Sequence, residues 1–132
     1  MRALIVGGPE TASLGEELEA AGVPVERRGD DPPPGGGPEE IADIAADLRE
    51  FERILGDHGI DVVLVASSSP AALAAVLVAT KAGVPVARLQ PPDDTRGAGA
   101  NARLIAQLAD IALAPEPAAI VEWARDGYPA RA

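Results

Sequence analysis

The feature that most constrains the fold of this chain is a series of five short aliphatic runs, each followed by a segment with helical features. The runs are Ala3 to Val6, Val23 to Glu26, Asp61 to Ala66, Pro85 to Leu89 and Ile111 to Ala114. Short runs with little polar alternation are typical of parallel strands covered on both faces. The alternation with helices predicts an α/β fold, a doubly wound Rossmann-like parallel sheet with helices on both faces. Right-handed crossovers favour the strand order 3-2-1-4-5.

The segments after the runs predict five helices, of which the second is the most clearly periodic. The others are predicted over Glu10 to Ala21, Pro70 to Ala82, Asn101 to Ala109 and Glu116 to Arg125. In the second helix, apolar residues at steps of three and four share one buried face. These residues are Ile41, Ile44, Leu48, Phe51 and Leu55. The helix is predicted to end at Gly59, with the lone His58 at the surface near the negative end of the helix dipole.

The length of 132 residues is typical of one domain, so a single domain over 1–132 is predicted. Residues 29–38 are rich in proline and glycine, which predicts a flexible surface loop within that domain. The third helix is unusual because Ala71 to Ala79 is apolar on every side. Either its own chain covers both faces of this helix, or the helix packs against another subunit. We expect the second explanation, which predicts a homo-oligomer, most simply a dimer.

Composition and charge exclude several classes of partner. The net charge is −10 and three residues are aromatic, so nucleic acid is not an expected partner. The chain has no cysteine, which fits a cytoplasmic location. The apolar stretch Val62 to Ala79 is interrupted by Ser67 to Pro70, so we predict a buried strand and helix rather than a membrane span. No metal site and no cofactor are predicted. The predominance of Arg over Lys suggests a GC-rich, thermophile-like bacterial source.

A ligand site is expected beyond the carboxyl ends of the strands, where the strand order reverses. With the predicted order, this crevice lies between the first and fourth strands. The candidate ligand-binding residues are Gly7, Gly8, Ser67, Ser68, Ser69, Gln90 and Asn101. Each also has a structural explanation, because glycine forms tight turns and Ser or Asn caps helices. The alternative is contact with phosphate or sugar hydroxyl groups at the helix N-termini.

Several segments occur in an order that resembles a known family. They are Gly59 to Val65, Ala72 to Ala75, Lys81 to Ala87, Leu104–Ile105, Leu108 to Asp110, Leu113 to Glu116 and Gly127 to Ala130. From about residue 39 onward the chain resembles the N-terminal domain of the non-hydrolysing UDP-N-acetylglucosamine 2-epimerases. That family has the two-domain glycosyltransferase-B architecture. The resemblance implies a Rossmann-like domain related to sugar-nucleotide isomerases.

The residues that carry the chemistry of this family differ in the present chain. Of the opening pattern Gly-Thr-Arg-Pro-Glu-Ala-x-Lys, Gly7-Gly8-Pro9-Glu10 keeps a part without the Arg, and Ser13 stands at the Lys. Ser68 stands at the Asp of Gly-Asp-Thr, and Gln90 stands at the Glu of His-Val-Glu-Ala-Gly. Asn101 alone remains of Pro-Glu-Glu-x-Asn-Arg. Because Ser and Gln do not transfer protons at neutral pH, we expect no catalytic residue in this chain alone.

Three functions are compatible with the sequence. The first is an epimerase-related, non-catalytic domain that acts by self-association or by binding a partner or a sugar nucleotide. The second is the N-terminal half of a split epimerase or glycosyltransferase, completed by a separate chain of the C-terminal type. The third is a stand-alone ligand-binding domain that uses Gly7, Gly8 and Ser67 to Ser69. We favour them in this order.

Overall fold

The computed structural model describes residues 1–29, 38–89 and 99–130, in which strands and helices alternate. The strands are β1 (Ala3–Gly7), β2 (Val25–Gly29), β3 (Val62–Val65), β4 (Val86–Leu89) and β5 (Ile111–Leu113). The helices are α1 (Thr11–Ala20), α2 (Pro38–Asp57), α3 (Pro70–Ala82), α4 (Gly99–Leu108) and α5 (Pro117–Arg125). The predicted α/β fold class is therefore confirmed.

All five strands are parallel, but their order is β2-β1-β3-β4-β5. The predicted order 3-2-1-4-5 is wrong. The physical reason lies in β2, where the consecutive residues Glu26, Arg27 and Arg28 are charged and each keeps contact with solvent. Such a strand is suited to the edge of a sheet and not to an interior position. The fully buried β3 lies beside β1 instead.

Two apolar layers cover the faces of the sheet, because successive residues of a strand point to opposite faces. On one face, Leu4 and Val63 pack beneath α2, α3 and α4. On the other face, Ile5 and Leu64 pack beneath α1 and α5, where Trp123 of α5 is also buried. The central strands β1 and β3 are thus covered on both sides, as their apolar sequences predict.

Helix α3 lies in the middle of its layer, between α2 and α4 and over β1, β3 and β4. Ala71 to Val76 and Ala79 are buried by the chain itself, whereas Thr80 and Lys81 at the end of the helix are exposed. The expectation that α3 packs against another subunit is therefore wrong, because its apolar surface has intramolecular partners. The buried strand and helix predicted within Val62 to Ala79 are confirmed. Within the described residues, no helix is both long enough and apolar enough to cross a membrane.

Helix α2 packs on α3 through the face that its periodicity predicts, with one exception. Phe51 and Leu55 are buried and Ile44 and Leu48 are partly buried, but Ile41 is 69% exposed. With 20 residues against the 13 of α3, α2 is longer by about 10 Å. The first turns of α2 therefore extend past the layer, and the prediction that Ile41 is in the core is wrong.

Two side chains of β2 tie this edge strand to its neighbours. The Arg28 guanidinium binds Glu50, donates to Asp47 over 3.1 Å and lies 5.1 Å from the ring centroid of Phe51. The second side chain is that of Glu26, whose Oε1 lies 2.5 Å from Nδ1 of His58. His58 is exposed, as predicted. Arg28 and α2 therefore make contact across the segment that connects them.

The ends of two predicted elements differ from the structure. The predicted loop 29–38 falls mainly on residues 30–37, which lie outside the described residues, while Gly29 belongs to β2 and Pro38 to α2. Strand β2 begins at Val25 rather than at Val23. The reason is that the N–H of Val23 still donates to the carbonyl of Leu18 at the end of α1.

The packing of α2 makes a prediction about stability. Phe51→Ala should lower the free energy of unfolding by about 3–5 kcal/mol, because it leaves a cavity beneath α2. The matched control on the same helix is Ile41→Ala, which should change the free energy by less than about 0.5 kcal/mol because Ile41 is exposed. Urea denaturation followed by circular dichroism measures both values. Similar losses in the two variants would contradict the described packing of α2.

The C-terminal segment makes a prediction about pH. Tyr128, the single tyrosine, packs edge-to-face on Trp123. Burial, and secondarily the charge of Asp61, raises the pKa of Tyr128 above its ordinary value of 10.0. Because the folded pKa exceeds the unfolded one, the contribution of the neutral phenol to stability is complete below pH 10.0 and is lost as the pH rises through the folded pKa.

Ultraviolet titration of the phenolate should give a midpoint that is higher in the folded protein than in denaturant. Asp61→Asn should lower the folded midpoint, whereas Asp57→Asn, at an exposed position on α2, should leave it unchanged. Equal midpoints in the folded and denatured protein would contradict the burial of this side chain.

Candidate functional site

The carboxyl ends of β1 and β3 flank the crevice of this fold. Helices α1 and α3, which follow these strands, cover opposite faces of the sheet, so the topological switch lies between them. The prediction of a crevice between the first and fourth strands is wrong, because β3 separates those strands. The predicted segments nevertheless lie at the ends of the two strands that flank it, since Gly7 is the last residue of β1 and Ser67 lies two residues after β3.

Gly7 and Gly8 form a tight turn that packs against Thr11 and Ala66 and bonds to Glu10. A β-carbon on Gly7 would lie 2.7 Å from Cγ2 of Thr11 and 2.9 Å from Cβ of Ala66, so a larger residue does not fit. The N–H of Gly8 donates to Oε1 of Glu10 over 3.2 Å, and the carbonyl of Gly8 accepts the Thr11 hydroxyl at 2.8 Å. The Glu10 carboxylate therefore occupies the start of α1, where the helix dipole favours an anion.

Arg27 is a charged residue at this edge that the sequence analysis missed. Its Nε donates to the hydroxyl of Thr11 over 3.2 Å, and its Cδ would lie 3.1 Å from a β-carbon on Gly15 of α1. Thr11, which is 3% exposed, thus bonds to both Arg27 and Gly8. The signal was available, because a β-α-β unit places the end of its second strand beside the start of its helix.

The three serines after β3 have different surroundings. Ser69 is the N-cap of α3: its Oγ accepts the N–H of Ala72 at 3.0 Å, and Pro70 follows at the first position of the helix. The hydroxyl of Ser67 donates to Oγ of Ser69 over 3.3 Å. The hydroxyl of Ser68 has no hydrogen-bond partner within the described residues. Ser69 therefore has a structural role, and ligand binding by the Ser68 hydroxyl stays a prediction.

The side chain of Asn101 connects α4 to the end of β3. Its Nδ2 donates to the carbonyl of Ser68 over 3.2 Å, so two candidate residues 33 positions apart are brought together. Gln90, the remaining candidate, lies outside the described residues. The structure thus places Gly7, Gly8 and the serines at neighbouring strand ends, and Asn101 against the serines.

The chemistry that these residues offer is hydrogen bonding rather than proton transfer. Glu10 contributes one carboxylate, and in the part of the chain that the structure describes no second carboxylate or histidine bonds to the candidate residues. His58 comes just before β3 and so lies near the amino-terminal ends of the strands, whereas the crevice lies at their carboxyl ends. Across the same described ranges, no group of three or more His, Cys, Asp or Glu residues could hold a metal ion. The crevice is therefore suited to bind polar groups.

Comparison with solved structures shows which known proteins share this fold. The UDP-GlcNAc 2-epimerase from Methanocaldococcus jannaschii superposes with a TM-score of 0.71 at 20% identity, over 96% of this chain and 43% of the enzyme. The enzyme from Neisseria meningitidis, solved with UDP-GlcNAc bound, gives a TM-score of 0.71 at 19% identity, over 98% and 44%. The fold is that of the UDP-GlcNAc 2-epimerases.

The epimerase fold confirms the resemblance inferred from the sequence, at the level of the fold. S. aureus MnaA, solved with UDP, agrees with a TM-score of 0.68 at 18% identity, over 97% of this chain and 41% of that one. The chain therefore spans less than half the length of these epimerases. No protein-family model and no curated protein matches the sequence.

Because the serines have different surroundings, we expect their alanine variants to differ in stability. Ser69→Ala should lower the free energy of unfolding by about 0.5–2 kcal/mol, because it removes the N-cap of α3. Ser68→Ala is the matched control and should change the stability by less than about 0.5 kcal/mol. Thermal and urea denaturation give both values. A destabilised Ser68→Ala variant would show that this hydroxyl, too, is part of the fold.

Proposed function

We propose that this chain is an epimerase-type domain that binds a sugar nucleotide in the crevice between β1 and β3 and does not catalyse epimerisation on its own. The observation that carries the proposal is the hydrogen bond from Asn101 to the carbonyl of Ser68. It brings the start of α4 to the end of β3, beside the turn at Gly7. A cytoplasmic location and a single domain over residues 1–132 are parts of the same proposal.

The polar groups of the crevice fit the chemistry of such a ligand. The hydroxyl of Ser68 and the start of α3 suit sugar hydroxyl or phosphate oxygens. Arg27 adds a positive charge beside the turn of Gly7 and Gly8, although Glu10 already supplies a carboxylate there. The epimerase from Neisseria meningitidis, which has the same fold, was solved with UDP-GlcNAc. These points support a sugar nucleotide as the ligand.

We propose a lack of catalysis because this chain has no acidic side chain at two positions where the related family uses one. In the family that the sequence resembles, acidic groups serve during elimination and re-addition of the nucleotide. Ser68 and Gln90 stand at two of those positions, and neither a hydroxyl nor an amide exchanges protons readily at neutral pH. Binding without turnover is the consequence.

Titration of ¹⁵N-labelled protein with UDP-GlcNAc tests the binding. We expect amide shifts at Gly7, Gly8 and Ser68, and no shifts near His58, at the amino-terminal ends of the strands. Ser68→Ala should weaken binding by about threefold to tenfold, the effect of one lost hydrogen bond. Thr80→Ala, at an exposed site on α3, should bind like the unaltered chain. Saturating ligand without shifts, or shifts elsewhere, would contradict the proposed site.

Turnover is measured on the same samples. The anomeric proton signals of UDP-GlcNAc should persist unchanged, without formation of UDP-N-acetylmannosamine. Formation of that product by the purified chain would show that the missing acids are not needed, and the non-catalytic assignment would be wrong.

A second candidate function is that of the N-terminal half of a split enzyme, and the greater length of the relatives favours it. The chain spans 41 to 44% of the epimerases to which it was compared, so a separate chain of the C-terminal type would complete a two-domain enzyme. Co-expression with the C-terminal part of the Methanocaldococcus jannaschii enzyme tests this function. Turnover by the mixture alone would favour the split enzyme over the binding domain. Self-association remains a prediction, without support from α3, and sedimentation analysis measures it.

A further inference from the structure

The carboxylate of Glu10 lies over the turn of Gly7 and Gly8, at the β1 side of the crevice. Its Oε1 accepts the N–H of Gly8 at 3.2 Å. A β-carbon on Gly8 would lie 2.5 Å from Oε2 of Glu10, so the carboxylate rests against the backbone of the turn. Although Glu10 is the N-cap residue of α1, its side chain makes no capping hydrogen bond to the helix. The side chain therefore bonds to the turn instead of capping α1.

The N–H groups of Gly8, Thr11 and Ala12 are engaged within the chain itself. The N–H of Thr11 donates to the carbonyl of Gly8 over 3.1 Å, and the N–H of Ala12 donates to that of Pro9 over 3.1 Å. Pro9 has no N–H to offer. An anion binds at a helix N-terminus through free N–H groups, and here the N–H of Gly8 donates to Glu10. The Glu10 carboxylate thus takes the place that a ligand phosphate would occupy.

Side chains of α1 and β2 hold the turn in this shape. The hydroxyl of Thr11, a residue that is 3% exposed, donates to the carbonyl of Gly8 over 2.8 Å and accepts Nε of Arg27 at 3.2 Å. The stem of Arg27 lies across Gly15, one helical turn further along α1, where a β-carbon would be 3.1 Å from its Cδ. A ligand in the crevice therefore meets a fixed turn that presents the carboxylate of Glu10.

We propose that Glu10 determines which part of the ligand lies at the β1 side of the crevice, because it accepts sugar hydroxyl groups and keeps phosphates away. This inference rests on the proposed function, since it assigns the direction of the same sugar nucleotide. Glu10 is exposed, and an ionised carboxylate only accepts hydrogen bonds, so it pairs with hydroxyl donors. A phosphate beside it would bring like charges together at short range. The diphosphate then lies toward the end of β3, near Ser68.

Titration with inorganic phosphate at constant ionic strength tests the exclusion, with ¹⁵N spectra that follow the amide of Gly8. In the unaltered chain this amide should not respond. Glu10→Ala should bind phosphate at least about tenfold more tightly and shift the Gly8 amide, because the like charge is gone and the N–H is free. The matched control Glu17→Ala removes the same charge from an exposed position on α1 and should bind phosphate like the unaltered chain. Circular dichroism checks that both variants fold.

The two halves of the ligand, added separately, test the direction. N-acetylglucosamine should shift the Gly8 amide of the unaltered chain, and it should bind Glu10→Ala about threefold to tenfold more weakly, the effect of one lost hydrogen bond. UDP should shift the amide of Ser68 and leave that of Gly8 unchanged, whereas in Glu10→Ala it should shift both. A Gly8 shift by UDP in the unaltered chain, or no shift by N-acetylglucosamine, would overturn the assigned direction.

The failure of this inference and the failure of the proposed function give different results. The phosphate titration needs no sugar nucleotide, so a gain in Glu10→Ala supports the exclusion even when UDP-GlcNAc binds to no variant, an outcome that would overturn the proposed function. Conversely, UDP-GlcNAc that binds at Gly8 and Ser68, together with equal phosphate affinities of the unaltered chain, Glu10→Ala and Glu17→Ala, would overturn the role of Glu10 and leave the proposed function intact.

Discussion

The pairing of β1 with β3 is the constraint on which the rest of the structure depends. Both strands are apolar on both faces, and burying them side by side places two layers of helices on the sheet. The charged strand β2 can then lie only at the edge. Because α1 and α3 leave these two strands toward opposite faces, their carboxyl ends also define the crevice. The fold and the candidate site thus have the same physical origin.

Much of the fold could be predicted from the sequence, because burial on both faces leaves a clear pattern of apolar residues. The strands and helices were found, with errors of a few residues at their ends such as the start of β2 at Val25. The strand order was not found, because crossover handedness does not by itself decide between two orders. The charges of Glu26, Arg27 and Arg28 decide it, because three consecutive charged residues suit a strand at the edge of the sheet.

The candidate site was predicted in part, for reasons that differ between residues. Glycine and serine after a strand mark a turn and a cap as readily as a ligand site. The structure assigns Ser69 to the cap and Gly7 to close packing against Ala66 and Thr11. The bond between Asn101 and Ser68 joins residues far apart in sequence, and no local pattern could indicate it. Ligand binding at Gly8, Ser67 and Ser68 stays a prediction, as it does for Gln90, which lies outside the described residues.

The contacts of Arg28 have a consequence for how this chain tolerates change. Arg28 in β2 and its partners Asp47, Glu50 and Phe51 in α2 stand on either side of residues 30–37. The junction of strand and helix is therefore secured by side chains outside the connecting segment. Lengthening a connection costs little, about 0.6 kcal/mol for each doubling of a flexible loop. Evolution, or an engineer, can accordingly insert a foreign sequence between β2 and α2 while the domain keeps its architecture.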